Sequence, residues 1–262
     1  MTNDSSSLRQ RAAVAPERLK QNLLLFMRRR GYEIAKLNEA PQFATLMEIV
    51  TSHGIEVVFD VGANEGQFGR GVREAGFSGE IVSFEPLGDP FARLASESAT
   101  DSNWTAVNAA LAEVEGTREM AVAANLGMSS SFREMTGLHT DYAPNAAVAR
   151  NELVRTLGWD GLGRFAPTGA ALLKLDLQGF EGDVLRDPAA AGVLVRCEAV
   201  VVEVSCAPLY VGAWTPGECV AFMEQSGFEI YSLFPEWFDR SSMRLLQFNA
   251  VFVRATPATT RD

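Results

Sequence analysis

The stretch Val57-Val58-Phe59-Asp60-Val61-Gly62-Ala63-Asn64-Glu65-Gly66 runs an apolar segment into a glycine-punctuated turn. A continuous apolar run fits a strand buried on both faces of a parallel sheet. Gly62 and Gly66 let the backbone turn sharply and approach a ligand with no Cβ in the way. Glu85 ends the next apolar run, 23 positions after Gly62, close to the spacing at which an acidic side chain meets ribose hydroxyls. Together these features outline a nucleotide-cofactor site at a strand exit.

The turn also speaks to which cofactor. It reads Gly-Ala-Asn-Glu-Gly and lacks the G-x-G-x-x-G arrangement that seats a pyrophosphate on a helix N-terminus, so a dinucleotide suits it poorly. Asp60 and Glu65 would place carboxylates near any phosphate, which is unfavourable, whereas an amine or a sulfonium would be attracted. S-adenosylmethionine carries both cationic groups and a ribose. Further strand-like runs at Ile81 to Glu85, Trp104 to Leu111, Ala171 to Leu177, Ala199 to Ser205, Glu229 to Phe234 and Leu245 to Arg254 make seven in all. With crossovers between them they imply an α/β fold, a mainly parallel sheet with helices on both faces.

Four segments carry a resemblance to a known family. They are Phe59 to Gly66, Ser83-Phe84-Glu85-Pro86, Leu173-Lys174-Leu175-Asp176-Leu177-Gln178-Gly179-Phe180-Glu181, and Glu203-Val204-Ser205 with Pro208-Leu209-Tyr210. A late Gly227-Phe228 step and a final Phe248-Asn249-Ala250-Val251-Phe252-Val253 run complete the pattern. The chain resembles, over residues 55 to 254, the FkbM family of S-adenosylmethionine-dependent O-methyltransferases. That family belongs to the class I Rossmann-like methyltransferases. The resemblance implies a seven-stranded, mostly parallel sheet whose last strand is antiparallel. It also implies that Asp60, Gly62, Asn64 and Gly66 line the methionine end of the cofactor, that Glu85 with Pro86 meets the ribose, and that Asn108 with Ala109 lies toward adenine. Asn249 departs from the family, whose members often show Asp there.

Composition fits one compact enzyme domain. Hydrophobic residues make up 47% and charged residues 21%, with a net charge of −10. An acidic chain of this kind argues against a polyanion bound over a wide surface, and no nucleic-acid partner is expected. No apolar stretch reaches the ~18 residues of a membrane span. The polar start, Met1 to Gln10, lacks the order of a secretory signal, so a cytoplasmic location is expected. Cys197, Cys206 and Cys219 have no zinc-like spacing and read as reduced thiols. The organisation expected is a disordered tail over 1–15, a helical extension over 16–54 and a methyltransferase domain over 55–262. The extension would hold a helix from Glu17 to Leu37, a solvated Arg28-Arg29-Arg30 face and a short helix from Pro41 to Ser52. The irregular segment 122–168, with Ser129 to Ser131 and His139 to Pro144, reads as a lid-like insertion over the strand ends. The alternative is a surface excursion with a helix through Ala146 to Leu157.

Methyl transfer from a sulfonium needs alignment above all. A hydroxyl acceptor also needs a base, or a metal that acidifies it. His139 is the histidine placed to reach the reaction centre, and its unperturbed pKa near 6.5 suits a base. Asp176, which is also a cofactor-binding candidate, Glu203 and Glu181 form an acidic set at the sheet's carboxyl edge. Asp176 and Glu203 suit Mg²⁺. Against the metal stands a reading in which Asp176 caps the turn and holds the cofactor's amine while Glu181 caps or pairs with Lys174. The acceptor expected is a hydroxyl of a sugar or related secondary metabolite, with Trp104, Trp159, Trp214 and Trp237 available for stacking. A homodimer is compatible with this reading. The competing function is a nicotinamide-dependent oxidoreductase or a non-catalytic nucleotide-binding domain. A Tyr-x-x-x-Lys pair occurs at Tyr32 and Lys36, outside the Rossmann core, which disfavours hydride chemistry.

Overall fold

The computed structural model describes residues 41–165, 168–239 and 241–255. Packing divides the chain into residues 1–44 and 45–262, and the described residues fall almost wholly in the second unit. The expected tail over 1–15, the helix from Glu17 to Leu37 and the Arg28 to Arg30 cluster lie outside the described residues. Helix α1 (Pro41–Ser52) coincides with the short helix read there.

In chain order α1 is followed by β1 (Val57–Val61), α2 (Gln67–Glu74), β2 (Glu80–Phe84), α3 (Gly88–Ser98), β3 (Trp104–Val107), β4 (Ala110–Leu111) and β5 (Gly116–Ala123). Next come α4 (Gly137–Tyr142), a short 3-10 turn at Pro144–Ala146, β6 (Val148–Leu157), α5 (Trp159–Gly163) and β7 (Ala171–Leu175). The chain continues through α6 (Glu181–Arg186), α7 (Ala190–Leu194), β8 (Cys197–Ser205), α8 (Pro216–Gln225), β9 (Phe228–Phe238) and β10 (Leu245–Arg254).

Seven strands form the main sheet in the order β3-β2-β1-β7-β8-β10-β9. All neighbours are parallel except β10, which runs antiparallel to both β8 and β9. Every residue of β1 and of β7 is buried, which is why both read as apolar runs, broken only at Asp60 and Lys174. Full burial of a side chain such as Phe59 or Leu173 contributes about 1.5–3 kcal/mol. The helices close the core from outside. Helix α8, for example, starts on a capping box in which the Thr215 hydroxyl and the Glu218 carboxylate exchange bonds with each other's backbone N–H, satisfying two otherwise orphaned donors. From β1 the chain first builds outward to β3, then returns to the other side of β1 as β7. The strand order therefore reverses at β1 and β7, and the crevice beyond their carboxyl ends is where a ligand seats in this architecture.

Two elements differ from expectation. The run Trp104 to Leu111 is not one strand: after Val107 the chain leaves the main sheet, and Ala110–Leu111 pairs with β6 instead. The segment proposed as a helix from Ala146 to Leu157 is strand β6, paired antiparallel with β5 and parallel with β4 in a separate three-stranded sheet. Over Leu153 to Thr156 exposed and buried side chains alternate, with Val154 and Thr156 inward and Arg155 outward, the period of two that a half-buried strand requires. No helix among the described residues is long and apolar enough to cross a membrane. The three cysteines are free thiols, with Cys197 and Cys219 buried and pushed up to about 12 by burial.

Candidate active site

The site rests on a buried ionic layer. Parallel register sets Asp60 of β1 beside Ser83 of β2 and Lys174 of β7. The Ser83 hydroxyl donates to Asp60 Oδ2 at 3.2 Å, and the Lys174 ammonium lies 3.3 Å from Asp60 Oδ1 and 3.4 Å from Asp176 Oδ2. Lys174 also donates to the Gly62 carbonyl at 2.8 Å. Burial opposes its charge, but Asp176 and Asp60 outweigh that and hold its pKa above the usual lysine range. Asp60 is 0% exposed, and burial raises its pKa against the pull of Lys174. This corrects the expectation for Asp60. Its carboxylate is spent under the glycine turn, holding Lys174, and presents no surface to a cofactor.

Above this layer the turn after β1 meets the exit of β7. Gly62 has φ +81°, and a Cβ there would lie 1.9 Å from the Asp176 carbonyl oxygen, so backbone passes backbone at the crevice and only glycine fits. Glu85, just past β2, is 5% exposed. Its Oε2 accepts from the Asn64 amide and its Oε1 from the Leu87 amide, both at 2.9 Å. Burial pushes Glu85 up to about 7, against the lowering effect of those two bonds. Each oxygen keeps a lone pair, so the group suits paired hydroxyl donors such as those of a ribose. The Asn108 side chain donates to the carbonyls of Glu85 and Pro86 and fixes that corner. Ala109 is 1% exposed and packs in the core, so its side chain lines no cofactor surface.

Beyond β7 the turn 176–180 organises a carboxylate pair. The Gln178 Nε2 donates to Asp176 Oδ1 at 2.8 Å and to Glu203 Oε2 at 2.7 Å. Gln247 Nε2 donates to the same Glu203 oxygen at 2.9 Å, and the Tyr210 hydroxyl donates to Gln178 Oε1 at 2.6 Å. No hydrogen bond to Glu203 Oε1 is formed among the described residues. Burial raises the Glu203 pKa well above the carboxylate range, and the charges of Asp176 and Glu181 add to this while Lys174 offsets it. Asn249, opposite Glu203 across β8 and β10, donates to Glu236 Oε1 at 2.6 Å. Glu181 lies apart in role: its Oε1 accepts from the backbone N–H of Leu177 at 2.7 Å and of Gly179 at 3.2 Å. It caps the turn, and burial pushes it up to about 7.

These residues do not fit the expected Mg²⁺ site. Among the described residues no group of three or more His, Cys, Asp or Glu side chains is placed to hold a metal ion. One oxygen each of Asp176 and Glu203 is tied to the Gln178 amide, and Lys174 already supplies a cation to Asp176. The donor set does fit S-adenosylmethionine: the turn after β1 passes close to the exit of β7 with no side chain at Gly62, the Glu85 oxygens keep lone pairs for ribose hydroxyls, and the acidic edge attracts a sulfonium and an amine.

His139 is not on an open loop. It is 1% exposed, its ring packs edge-on to Tyr210 at 5.0 Å and against Trp237 at 5.4 Å, and neither ring nitrogen has a hydrogen-bond partner among the described residues. Burial lowers its pKa, with the nearby Leu209 backbone offsetting part of the shift. The segment around it is anchored rather than free-standing. The Arg133 guanidinium forks onto the Asp183 carboxylate at 2.7 and 2.9 Å, and the Ser131 hydroxyl donates to the Gln178 carbonyl at 2.8 Å. Three of the four tryptophans proposed for stacking are core: Trp104, Trp159 and Trp214 are 7%, 1% and 4% exposed. Sequence reasoning assigned no role to Gln178 or Gln247. Gln178 was signalled by its place between Asp176 and Gly179, whereas Gln247 reaches the site only through the pairing of β10 with β8.

Fold and site together define a class I S-adenosylmethionine-dependent methyltransferase. Residues 60–230, more than half of the chain, match the family model described as the methyltransferase FkbM domain, and the chain belongs to that family. Membership sets aside the oxidoreductase alternative. No curated protein gives a significant match. Among solved structures, the methyltransferase domain of bacterial CtHen1-C is 13% identical, with 84% of this chain and 100% of that one covered and a TM-score of 0.44. Precorrin-6y C5,15-methyltransferase from Geobacter metallireducens is 11% identical, covering 77% and 81%, with a TM-score of 0.42. An rRNA methylase from Streptococcus thermophilus is 11% identical, covering 77% and 89%, also with a TM-score of 0.42.

Proposed function

We propose that the chain transfers the methyl group of S-adenosylmethionine to a hydroxyl of a carbohydrate or related polyhydroxylated metabolite. The observation that carries this reading is the Asp176–Glu203 pair at the carboxyl ends of β7 and β8, beside the glycine turn and Glu85, with Glu203 Oε1 unbonded. The bound cofactor would supply a methyl already activated on a sulfonium, and its transfer leaves a neutral thioether. The chain's own task is then to align the acceptor and take its proton. Glu203 Oε1 accepts the hydroxyl proton as the acceptor oxygen bonds to the methyl carbon. A carboxylate whose pKa burial has raised, as at Glu203, is a stronger base than an exposed one. Asp176 and Lys174 hold the charge balance beside it. His139 is enclosed by Tyr210 and Trp237 and does not serve as the base, and Mg²⁺ has no donor set to hold it.

A carbohydrate acceptor is supported by a cleft of about 460 Å³ whose walls include Glu119, Phe132, Glu134, Thr140 and Asn151. Acceptor and donor groups around one aromatic ring suit a hydroxyl-rich ring. Ser131 lines this cleft and its hydroxyl bonds to the Gln178 carbonyl, which joins one lining residue to the turn after β7. The reading is tested with labelled S-adenosylmethionine and a panel of methyl glycosides and free monosaccharides. Glu203→Gln should lower turnover by ~10²- to 10⁴-fold with S-adenosylhomocysteine affinity unchanged. Full turnover in this variant would remove Glu203 as the base.

A further inference from the structure

We propose that Gln178, with its amide orientation set by Tyr210, is the positioning residue that fixes the Asp176–Glu203 pair for proton transfer; this rests on the methyltransferase reading of the site given above. The geometry is specific. One amide nitrogen, with two hydrogens, reaches two carboxylates, at 2.8 Å to Asp176 just past β7 and 2.7 Å to Glu203 of β8. A glutamine amide can present either its nitrogen or its oxygen, and an oxygen facing two carboxylates would be repelled. The Tyr210 hydroxyl removes that choice. It lies 2.6 Å from Gln178 Oε1 and 3.2 Å from the Ser129 carbonyl; its one proton takes the shorter bond, and an Oε1 that accepts it turns the NH₂ toward Asp176 and Glu203.

The backbone is built to hold this arrangement. Gln178 sits at φ +53°, a left-handed conformation that is uncommon for a residue with a side chain. Gly179 follows at φ +89°, where a Cβ would meet the Tyr210 Cβ at 2.8 Å. The turn is further capped by Glu181 and braced by the Ser131 hydroxyl on the Gln178 carbonyl. Strain of this kind persists where the surroundings over-determine it, and it clusters at functional sites. The clamp ties Glu203 Oε2 to Gln178 and Gln247, leaving Oε1 as the oxygen presented to an acceptor.

Two variants isolate the role. Tyr210→Phe keeps the ring that packs on Gly179 and His139 and deletes only the hydroxyl. Gln178→Asn keeps an amide at a position where asparagine tolerates left-handed backbone, but it is one methylene too short to bridge both carboxylates. With labelled S-adenosylmethionine and the methyl glycoside panel, both should lower kcat by roughly 10-fold or more while acceptor KM, S-adenosylhomocysteine affinity and melting temperature stay within experimental scatter. Gln178→Glu keeps the length, loses both donors and should be at least as impaired. Wild-type kcat in Tyr210→Phe and Gln178→Asn, in the same assay where Glu203→Gln is inactive, would overturn the inference and leave the base assignment standing. Equal losses in kcat and cofactor affinity would make Gln178 a structural residue and overturn it as well. An active Glu203→Gln enzyme would instead bring down the base assignment on which the inference rests.

Discussion

At the scale of single residues, the motif positions divide between those that face the crevice and those that support it from below. Gly62 belongs to the contact between β1 and β7: Gly62→Ala would force a Cβ into the Asp176 carbonyl at 1.9 Å in a left-handed conformation. The left-handed term costs about 1–2 kcal/mol and overpacking about 1–3. A loss of roughly 2–5 kcal/mol is therefore expected in the unfolding free energy from urea titration, together with loss of cofactor binding. Glu181 gives a pH prediction. Its folded pKa is raised to about 7 from 4.5, chiefly by burial, so the folded state binds more protons than the unfolded one between those values. The stability it contributes is present below about pH 4.5 and is lost as pH rises to about 7. Glu181→Gln keeps an oxygen for the Leu177 and Gly179 amides and removes the titration. The variant should therefore lose less stability than wild type across that window, by on the order of 2–3 kcal/mol. Buried His139, with its pKa lowered, works in the opposite sense, adding stability as pH rises toward 6.5, so the wild-type slope is a difference and only the comparison isolates Glu181. Sequence spacing could name Glu85, Asp176 and Glu203 as members of one edge. It could not show that Asp60 is consumed by Lys174, because that depends on the register between β1 and β7.

At the scale of elements, the insertion is where sequence and structure part. Its anchor is Arg133, which joins the segment after β5 to Asp183 of α6 and to the Val211 carbonyl. Charge-assisted forks of this kind hold about 1.5–3 kcal/mol when partly buried. Arg133→Ala should raise amide hydrogen exchange across residues 124–147 by about 10-fold or more, since each 1.4 kcal/mol of local stability is a factor of ten. Exchange in β1 and β7 should be unchanged, and an equal rise in both places would show that Arg133 supports the whole fold. The central strands of the main sheet, β1, β2, β7 and β8, were legible because they are buried almost throughout and read as largely apolar runs. Strands β5 and β6 were not. Gly116-Thr117-Arg118-Glu119 is exposed, and the Ala146 to Leu157 sequence is rich in helix-forming residues with alternating charge. Cross-strand pairing, Arg118 opposite Val154 and Thr117 opposite Arg155, overrides that local preference. The break after Val107 was hidden for a similar reason: Ala109, Ala110 and Leu111 are as apolar as a continuing strand, but they are drawn away to β6.

At the scale of the whole molecule, the sheet, the glycine turn and the acidic edge make one prediction that separates cofactor binding from metal binding. If Glu85 and the glycine turn after β1 hold S-adenosylmethionine, the ligand binds the folded chain and not the unfolded one, so it must raise stability by mass action. At a ligand concentration 100-fold above the dissociation constant the gain is about 2.7 kcal/mol, which in a domain of this size moves the melting temperature by roughly 5–10 °C. The donor geometry around Asp176 and Glu203 assigns no share of this gain to a divalent ion. The same shift is therefore expected with S-adenosylhomocysteine in excess Mg²⁺ and after exhaustive chelation, whereas Glu85→Ala should abolish most of it in both. A shift that collapses in chelator and returns with Mg²⁺ would mean that the carboxylates release Gln178 to take a metal. A full shift in Glu85→Ala would move the ribose contact elsewhere along the carboxyl edge of the sheet. Glycosyl-methyl turnover measured alongside should follow the same pattern, insensitive to chelator and lost in Glu203→Gln. The thermal shift of Glu203→Gln should nevertheless stay near the wild-type value, because its side chain serves the acceptor's proton and not the cofactor's ribose.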